Sequence, residues 1–149
     1  RGIEVLADSH KSKIVVDNVS FKLSNKSDYR GFVTGNGIKA LDITINNCLF
    51  AGDTGAYIKV EEGALGGKLT VKNSKFDARL GLGFEANKNN ENITIKGNEF
   101  SNYTKGIEFF NIGGAFVDGE AGAWKEKLLK ENSFTDGVSG ATKVIVKDK

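Results

Sequence analysis

The sequence contains no proline and no methionine, and only one cysteine, one tryptophan and one histidine. A single cysteine, Cys48, excludes a disulfide framework within the chain. The single histidine, His10, sits in a polar stretch with no second His or Cys beside it, so no metal site, cofactor or catalytic residue is expected there. No apolar run approaches the roughly 18 residues of a membrane span, which argues against membrane insertion. A net charge of +2 is too small to indicate nucleic acid. Without proline, the turns have to be made by Asn and Gly.

What remains is an ordinary globular balance, 39% hydrophobic and 27% charged over 149 residues, which suits one domain spanning 1–149. The chain begins at Arg1 without Met, in the middle of a repeating module. It is therefore expected to be part of a longer protein, with neighbouring domains of the same chain as partners.

The module is clearest between Asn92 and Phe109. An alternating run, Ile93-Thr94-Ile95-Lys96, leads through Gly97-Asn98 to Phe100, and a polar loop then leads to Gly106-Ile107-Glu108-Phe109. The first half recurs as IVVDNVSF ending at Phe21, ITINNCLF at Phe50, LTVKNSKF at Phe76 and KLLKENSF at Phe134. The second half recurs at Gly2-Ile3-Glu4-Val5, Gly31-Phe32, Gly55-Ala56-Tyr57-Ile58 and Gly81-Leu82-Gly83-Phe84. A repeat of roughly 20 to 50 residues marks a solenoid. Two or three short strands per repeat, with no helical pattern between them, leave no room for a helical crossover and select a coiled parallel sheet.

Each repeat position then becomes a column of stacked side chains about 4.8 Å apart. Period-two alternation turns Ile14/Val16, Ile43/Ile45, Leu69/Val71, Ile93/Ile95 and Lys127/Leu129 inward. Phe21, Phe50, Phe76, Phe100 and Phe134 form an aromatic ladder, and Cys48 is a small buried residue in a column with Val19, Ser74, Asn98 and Asn132. Asn18, Asn47 and Asn73 precede the same turn. Asn tolerates left-handed backbone, so these three are expected to form a bend and a hydrogen-bonded ladder. The sequons at Asn18, Asn25, Asn92 and Asn102 follow from the same Asn and Thr richness.

Three outward features are candidates for binding. Lys72, Lys96 and Lys130 are expected to stack as a basic stripe, with Lys68 and Arg79 nearby and a Thr44-Thr70-Thr94 column alongside. Exposed strand lysines also serve simply to discourage edge aggregation. Tyr57 points outward with Lys59, beside Glu85 and Glu108, where its ring can stack a sugar. Residues 111–127 form a loop or cap inserted in the penultimate coil, with Trp124 and Leu128 spaced to bury one face of a short helix or to form a binding lip.

Together, the strand-Asn-x-x-Phe and Gly-apolar elements resemble the right-handed parallel β-helix of the pectate-lyase-like superfamily, in particular modules of bacterial extracellular and surface-layer-associated proteins. The resemblance implies an all-β fold of about five to six coils and a secreted or cell-surface location. It leaves function open, since the architecture serves enzymes, adhesins and stalks alike. Lyases of this kind carry acidic calcium clusters on adjacent coils. No column here stacks two or three carboxylates, so no catalytic residue is assigned. The expected role is a non-catalytic structural or polysaccharide-binding module whose partner is an acidic polysaccharide or cell-wall glycan. The alternatives are a polysaccharide lyase or hydrolase acting on an acidic glycan, and an adhesin module binding host protein.

Overall fold

The computed structural model of the chain describes residues 2–6, 12–22, 29–35, 42–59 and 67–149. In chain order the strands are β1 (Ile3–Val5), β2 (Lys13–Asp17), β3 (Ser20–Lys22), β4 (Arg30–Thr34), β5 (Asp42–Asn46), β6 (Leu49–Lys59), β7 (Lys68–Lys72), β8 (Lys75–Ala86), β9 (Ile93–Lys96), β10 (Glu99–Ser101) and β11 (Lys105–Asn111). A helix, α1 (Glu120–Glu131), then precedes β12 (Ser133–Phe134) and β13 (Thr142–Asp148). Arg1, His10 and Asn25 lie outside the described residues.

The runs that alternate Ile, Leu or Val with Thr, Asn or Lys form one sheet in the order β2-β5-β7-β9, all parallel. Its register stacks Ile14 on Ile43, Leu69 and Ile93. The second sheet holds the other nine strands. Its long strands β6 and β8 pass from the Phe column into the Gly-apolar column without a break, whereas β3/β4 and β10/β11 cover the same two columns as separate pieces. Parallel pairing of each strand with its equivalent one repeat away makes a β-solenoid. It comprises about three full turns, fewer than the five to six coils counted from the Phe anchors: the first sheet stacks four strands, and the fifth copy of that strand lies in a helix.

The fifth repeat departs from the expected pattern. KLLKENSF was expected to open as a strand with Lys127 and Leu129 inward. Lys127–Lys130 instead lie in α1, where Leu128 is buried, Leu129 partly so and Lys127 exposed. The cause is local: EAGAWKEKLLKE contains no β-branched residue and is rich in strong helix formers, whereas the other four copies alternate Ile, Val or Thr. α1 carries one acidic residue in its first turn and Lys130 in its last, both favourable to the helix dipole. The helix packs on β9 and β13 and closes this end of the core. Trp124 meets Phe109 edge-on at 4.9 Å between ring centroids.

Inside, Phe21, Phe50, Phe76, Phe100 and Phe134 stack in sequence with centroids 4.8 to 5.1 Å apart and rings within 12° of parallel. Phe84 and Phe109 make a second, shorter stack at 4.7 Å. Full burial of Phe50, Phe76, Phe100, Phe84 and Phe109 contributes about 1.5–3 kcal/mol each, and Phe134 at the end is only partly buried. The rings fit because glycines oppose them. A Cβ on Gly81 would lie 2.5 Å from Phe100 Cδ1 and 2.6 Å from the Gly106 carbonyl oxygen, so the anchor position has no room for a side chain.

The interior turn is polar and self-sufficient. Ser74 Oγ accepts the Cys48 N–H at 3.1 Å, Asn98 Oδ1 accepts the Ser74 N–H at 3.0 Å, and Asn132 Oδ1 accepts the Asn98 N–H at 3.1 Å. Each side chain thus satisfies a backbone donor one coil earlier, which is what allows Ser74 and Asn98 to be fully buried. Cys48 sits in this column, its thiol directed at the Asn46 carbonyl at 3.2 Å. Just before it, Asn18, Asn47 and Asn73 have φ of 57°, 51° and 52° and Gly97 has 68°, so the bend is left-handed in four successive coils. The exposed Asn side chains form an incomplete ladder: Asn47 Nδ2 donates to Asn18 Oδ1, but Asn73 Nδ2 turns aside to Asn46 Oδ1 at 3.3 Å.

Candidate functional site

The outer face of the first sheet carries two of the three stacked lysines. Lys72 and Lys96 are register partners, and the same column continues through Asn46 to Asp17, where Asn46 Nδ2 donates to Asp17 Oδ1 at 2.7 Å. Thr44, Thr70 and Thr94 stack beside it. Lys130 does not join: it lies in the last turn of α1. Lys68 is on β7 with Lys72 but at the opposite end of the strand, and Arg79 belongs to β8 in the other sheet. The stripe is therefore a pair of lysines beside an acidic end.

The Tyr57 face is closed upon itself. Tyr57 lies over Gly83, where a Cβ would meet its Cδ2 at 2.6 Å, and its hydroxyl donates to Glu85 Oε1 at 2.8 Å. Glu85 also receives Lys149 Nζ at 2.7 Å, and Lys59 Nζ lies 3.8 Å away. Glu108 is paired with Lys105 at 2.7 Å. Burial, then the bond to Glu85 and the fields of Glu85 and Glu108, push the Tyr57 phenol above its ordinary range. Every carboxylate here has a cation, so the cluster pins the C-terminal coil to the earlier ones, and the half-buried Tyr57 ring lies against Gly83 with the Arg30 guanidinium 5.7 Å from its centroid.

The 111–127 segment leads into α1, which runs on to Glu131. Trp124 is half-buried against Phe109, with Lys127 Nζ 5.4 Å from the ring centroid, and it serves as part of the end cap. A cavity of about 430 Å³ beside this cap is lined by Asn111, Gly114, Ala115, Asp148 and Lys149. Its polar atoms are committed to the loop: Asn111 Nδ2 donates to Asp148 Oδ1 at 2.7 Å, and Asp148 accepts the Phe116 N–H at 3.1 Å.

The groove that the repeats build is elsewhere, on the outer surface of β3, β6, β8 and the turn after β10. It has a volume of about 740 Å³ and a floor of small residues, Ala51, Gly52 and Ala78. Gly52 has φ 142°, a conformation open to glycine and strained for any other residue. Lys22, Ala51 and Asp77 follow one another up a single column. Arg79 grips Asp53 with two bonds, Nε to Oδ1 at 2.6 Å and Nη2 to Oδ2 at 3.2 Å. Asp53 is buried at 7% side-chain exposure while Arg79 remains 60% exposed. The Asp53 bond raises the guanidinium pKa further, so the charge is permanent. Asn102, left-handed at φ 53°, donates from Nδ2 to Asp77 Oδ1 at 2.7 Å.

Sequence reasoning missed this groove. Asp53 and Arg79 are one repeat apart, as their neighbours Gly52↔Ala78 and Thr54↔Leu80 pair in register, so opposite charges at repeat spacing were the available signal. Among the described residues, no group of three or more His, Cys, Asp or Glu is arranged to hold a metal ion. No family model, curated protein or solved structure matches the chain.

Proposed function

We propose that this chain is a structural β-solenoid module that binds polysaccharide without transforming it, in a protein outside the cell or on its surface. One observation carries the reading: a groove of about 740 Å³ crosses successive coils on the outer face, with a small-residue floor and two pairs of polar side chains, Arg79–Asp53 and Asn102–Asp77, already fixed by one another. Preorganised polar groups above a flat floor suit a hydroxyl-rich chain, since little side-chain order has to be lost on binding. The Asp53 carboxylate is committed to Arg79, which argues against a role as a free general base. The resemblance of the repeats to modules of bacterial extracellular and surface-layer-associated proteins supports the location and the glycan partner.

The test fills the groove without touching the core. Ala51 is half-buried on the outward side, so Ala51→Phe leaves the Phe ladder intact. Soluble polysaccharides should retard the wild-type protein in affinity electrophoresis and leave Ala51→Phe unretarded, with no unsaturated or reducing ends released. Equal retardation of both proteins removes the groove from consideration. Release of unsaturated ends that depends on Arg79 or Asp53 establishes a lyase instead.

A further inference from the structure

We infer that the groove selects a neutral glycan over a polyanion, that the glycan lies along the solenoid axis, and that Arg79 is the specificity-determining residue. This rests on the glycan-binding reading above and deepens it. Among the described lining residues the charges cancel, Lys22 and Arg79 against Asp53 and Asp77. The cancellation is local as well as net, because Arg79 is neutralised by a buried carboxylate in two-point contact. An arriving uronate would have to share the guanidinium with Asp53 and approach Asp77, an exposed like charge.

A sugar hydroxyl meets no such conflict. With Nε and Nη2 facing Asp53, Arg79 keeps Nη1 and one Nη2 hydrogen for a ligand. Asp77 uses Oδ1 for Asn102, and its Oδ2 has no partner among the described residues. The groove thus offers donors and acceptors side by side, the pattern that hydroxyl groups, which both donate and accept, can satisfy together. Its direction follows from register. The lining passes from Lys22 on β3 through β6 and β8 to Asn102 beyond β10, three steps up the stack or about 14 Å at the inter-strand spacing. The ligand is therefore a short segment of linear chain running across the strands.

The experiment titrates the whole chain with neutral hexose and N-acetylhexosamine oligosaccharides and with uronate oligosaccharides, followed by amide shifts at Ala51, Gly52, Arg79 and Asn102. A neutral oligosaccharide should move these four amides with an affinity that salt does not alter. Arg79→Gln should weaken it about tenfold or more, as loss of two bonds from a charged donor predicts, and Arg79→Lys, lacking the fork, should not rescue it. Asp53→Asn, which leaves the Arg79 charge uncompensated, should shift preference toward the uronate probes. Preferential, salt-sensitive uronate binding by the wild-type protein overturns the neutral ligand while leaving glycan binding in place. Failure of both classes to move these amides overturns the glycan-binding reading itself.

Discussion

The ring of Phe76 lies against Gly55 of the preceding coil so closely that a Cβ on Gly55 would stand 2.6 Å from Phe76 Cδ1 and 2.5 Å from the Gly81 carbonyl oxygen. One of those neighbours is backbone and cannot rotate away. Gly55→Ala should therefore destabilise the fold by about 1–3 kcal/mol, the range for overpacking. Gly122, in α1 with nothing within 4 Å, provides the contrast. Gly122→Ala should stabilise by about 0.5–1 kcal/mol through helix propensity. Urea unfolding of the two variants checks the opposite signs, and equal losses would refute the assignment of the glycine column to the ring contact.

Phe76 is fully buried and stacks on both sides, at 4.8 Å from Phe50 and 4.9 Å from Phe100. Truncation to Ala should cost about 3–5 kcal/mol. Phe134, at the end of the stack, is only partly buried and has one stacked neighbour, so Phe134→Ala should cost clearly less. Chemical denaturation of both variants tests the gradient; a loss under about 1 kcal/mol for Phe76→Ala is incompatible with a close-packed ladder.

The parts of this fold that can be read in the sequence are those where one residue type answers one physical demand. Phe repeats because a ring stacks on the ring above it, Gly because no Cβ fits beside the ring, and Asn, replaced by Gly97 in the fourth copy, because four successive bends are left-handed. Lys127–Lys130 was misread because its Phe134 anchor has the same spacing logic, although the residues before it favour helix. Lys130 then left the basic stripe. The groove was hidden for a different reason. Asp53, Asp77 and Arg79 lie past the Phe anchor, where strand β6 or β8 turns from one column to the next, and a buried Asp53 matched by an exposed Arg79 one repeat later lacks the like-on-like identity by which the other columns are recognised. Only pairing at repeat spacing joins Asp53 to Arg79.

Asn98 joins three coils: its Oδ1 accepts the Ser74 N–H at 3.0 Å, its Nδ2 donates to the Val71 carbonyl at 2.9 Å, and its own N–H goes to Asn132 Oδ1 at 3.1 Å. Asn98→Leu keeps the branched shape of the side chain but removes its hydrogen bonds to Ser74 and Val71 and the further one from Nδ2 to Asn132 Oδ1 at 3.0 Å. Each stranded buried group costs about 1–3 kcal/mol, so the variant should lose several kcal/mol. Hydrogen exchange should also accelerate at the Ser74 amide specifically. Unchanged protection of Ser74 would show that the column is not a relay.

Tyr57 predicts behaviour in alkali. Its phenol pKa is raised, by burial first and then by the bond to Glu85, so the protonated form is the one the folded state favours. A raised pKa adds stability that is full below the unfolded value near 10 and is lost as pH rises through the folded value. Tyr103, raised mainly by burial, acts in the same direction. Tyr57→Phe should flatten the alkaline fall in stability, measured by melting temperature against pH. An identical fall in the variant would assign the effect to other groups.

The end cap has an acid-sensitive latch whose readout is the chain's one tryptophan. Glu120 Oε2 accepts Lys88 Nζ at 2.5 Å and the Val117 N–H at 2.9 Å, tying the start of α1 to the turn after β8. The N-cap residue, Gly119, offers no side-chain cap, so Glu120 is what fixes this end of the helix. The Lys88 bond, followed by the Val117 N–H, holds the Glu120 carboxyl below its ordinary range. A lowered carboxylate pKa contributes stability above the unfolded value, about 4.3, and that contribution disappears as pH falls through the folded value. Acid should therefore loosen the start of α1 before the stacked sheets unfold, and Trp124, which packs on Phe109, should change its fluorescence in that range while the β-sheet circular dichroism holds. Glu120→Gln should show the altered fluorescence already at neutral pH and no acid transition of its own. If wild type and Glu120→Gln share one fluorescence curve that follows the global unfolding signal, the cap and the solenoid form a single cooperative unit and the latch has no separate role.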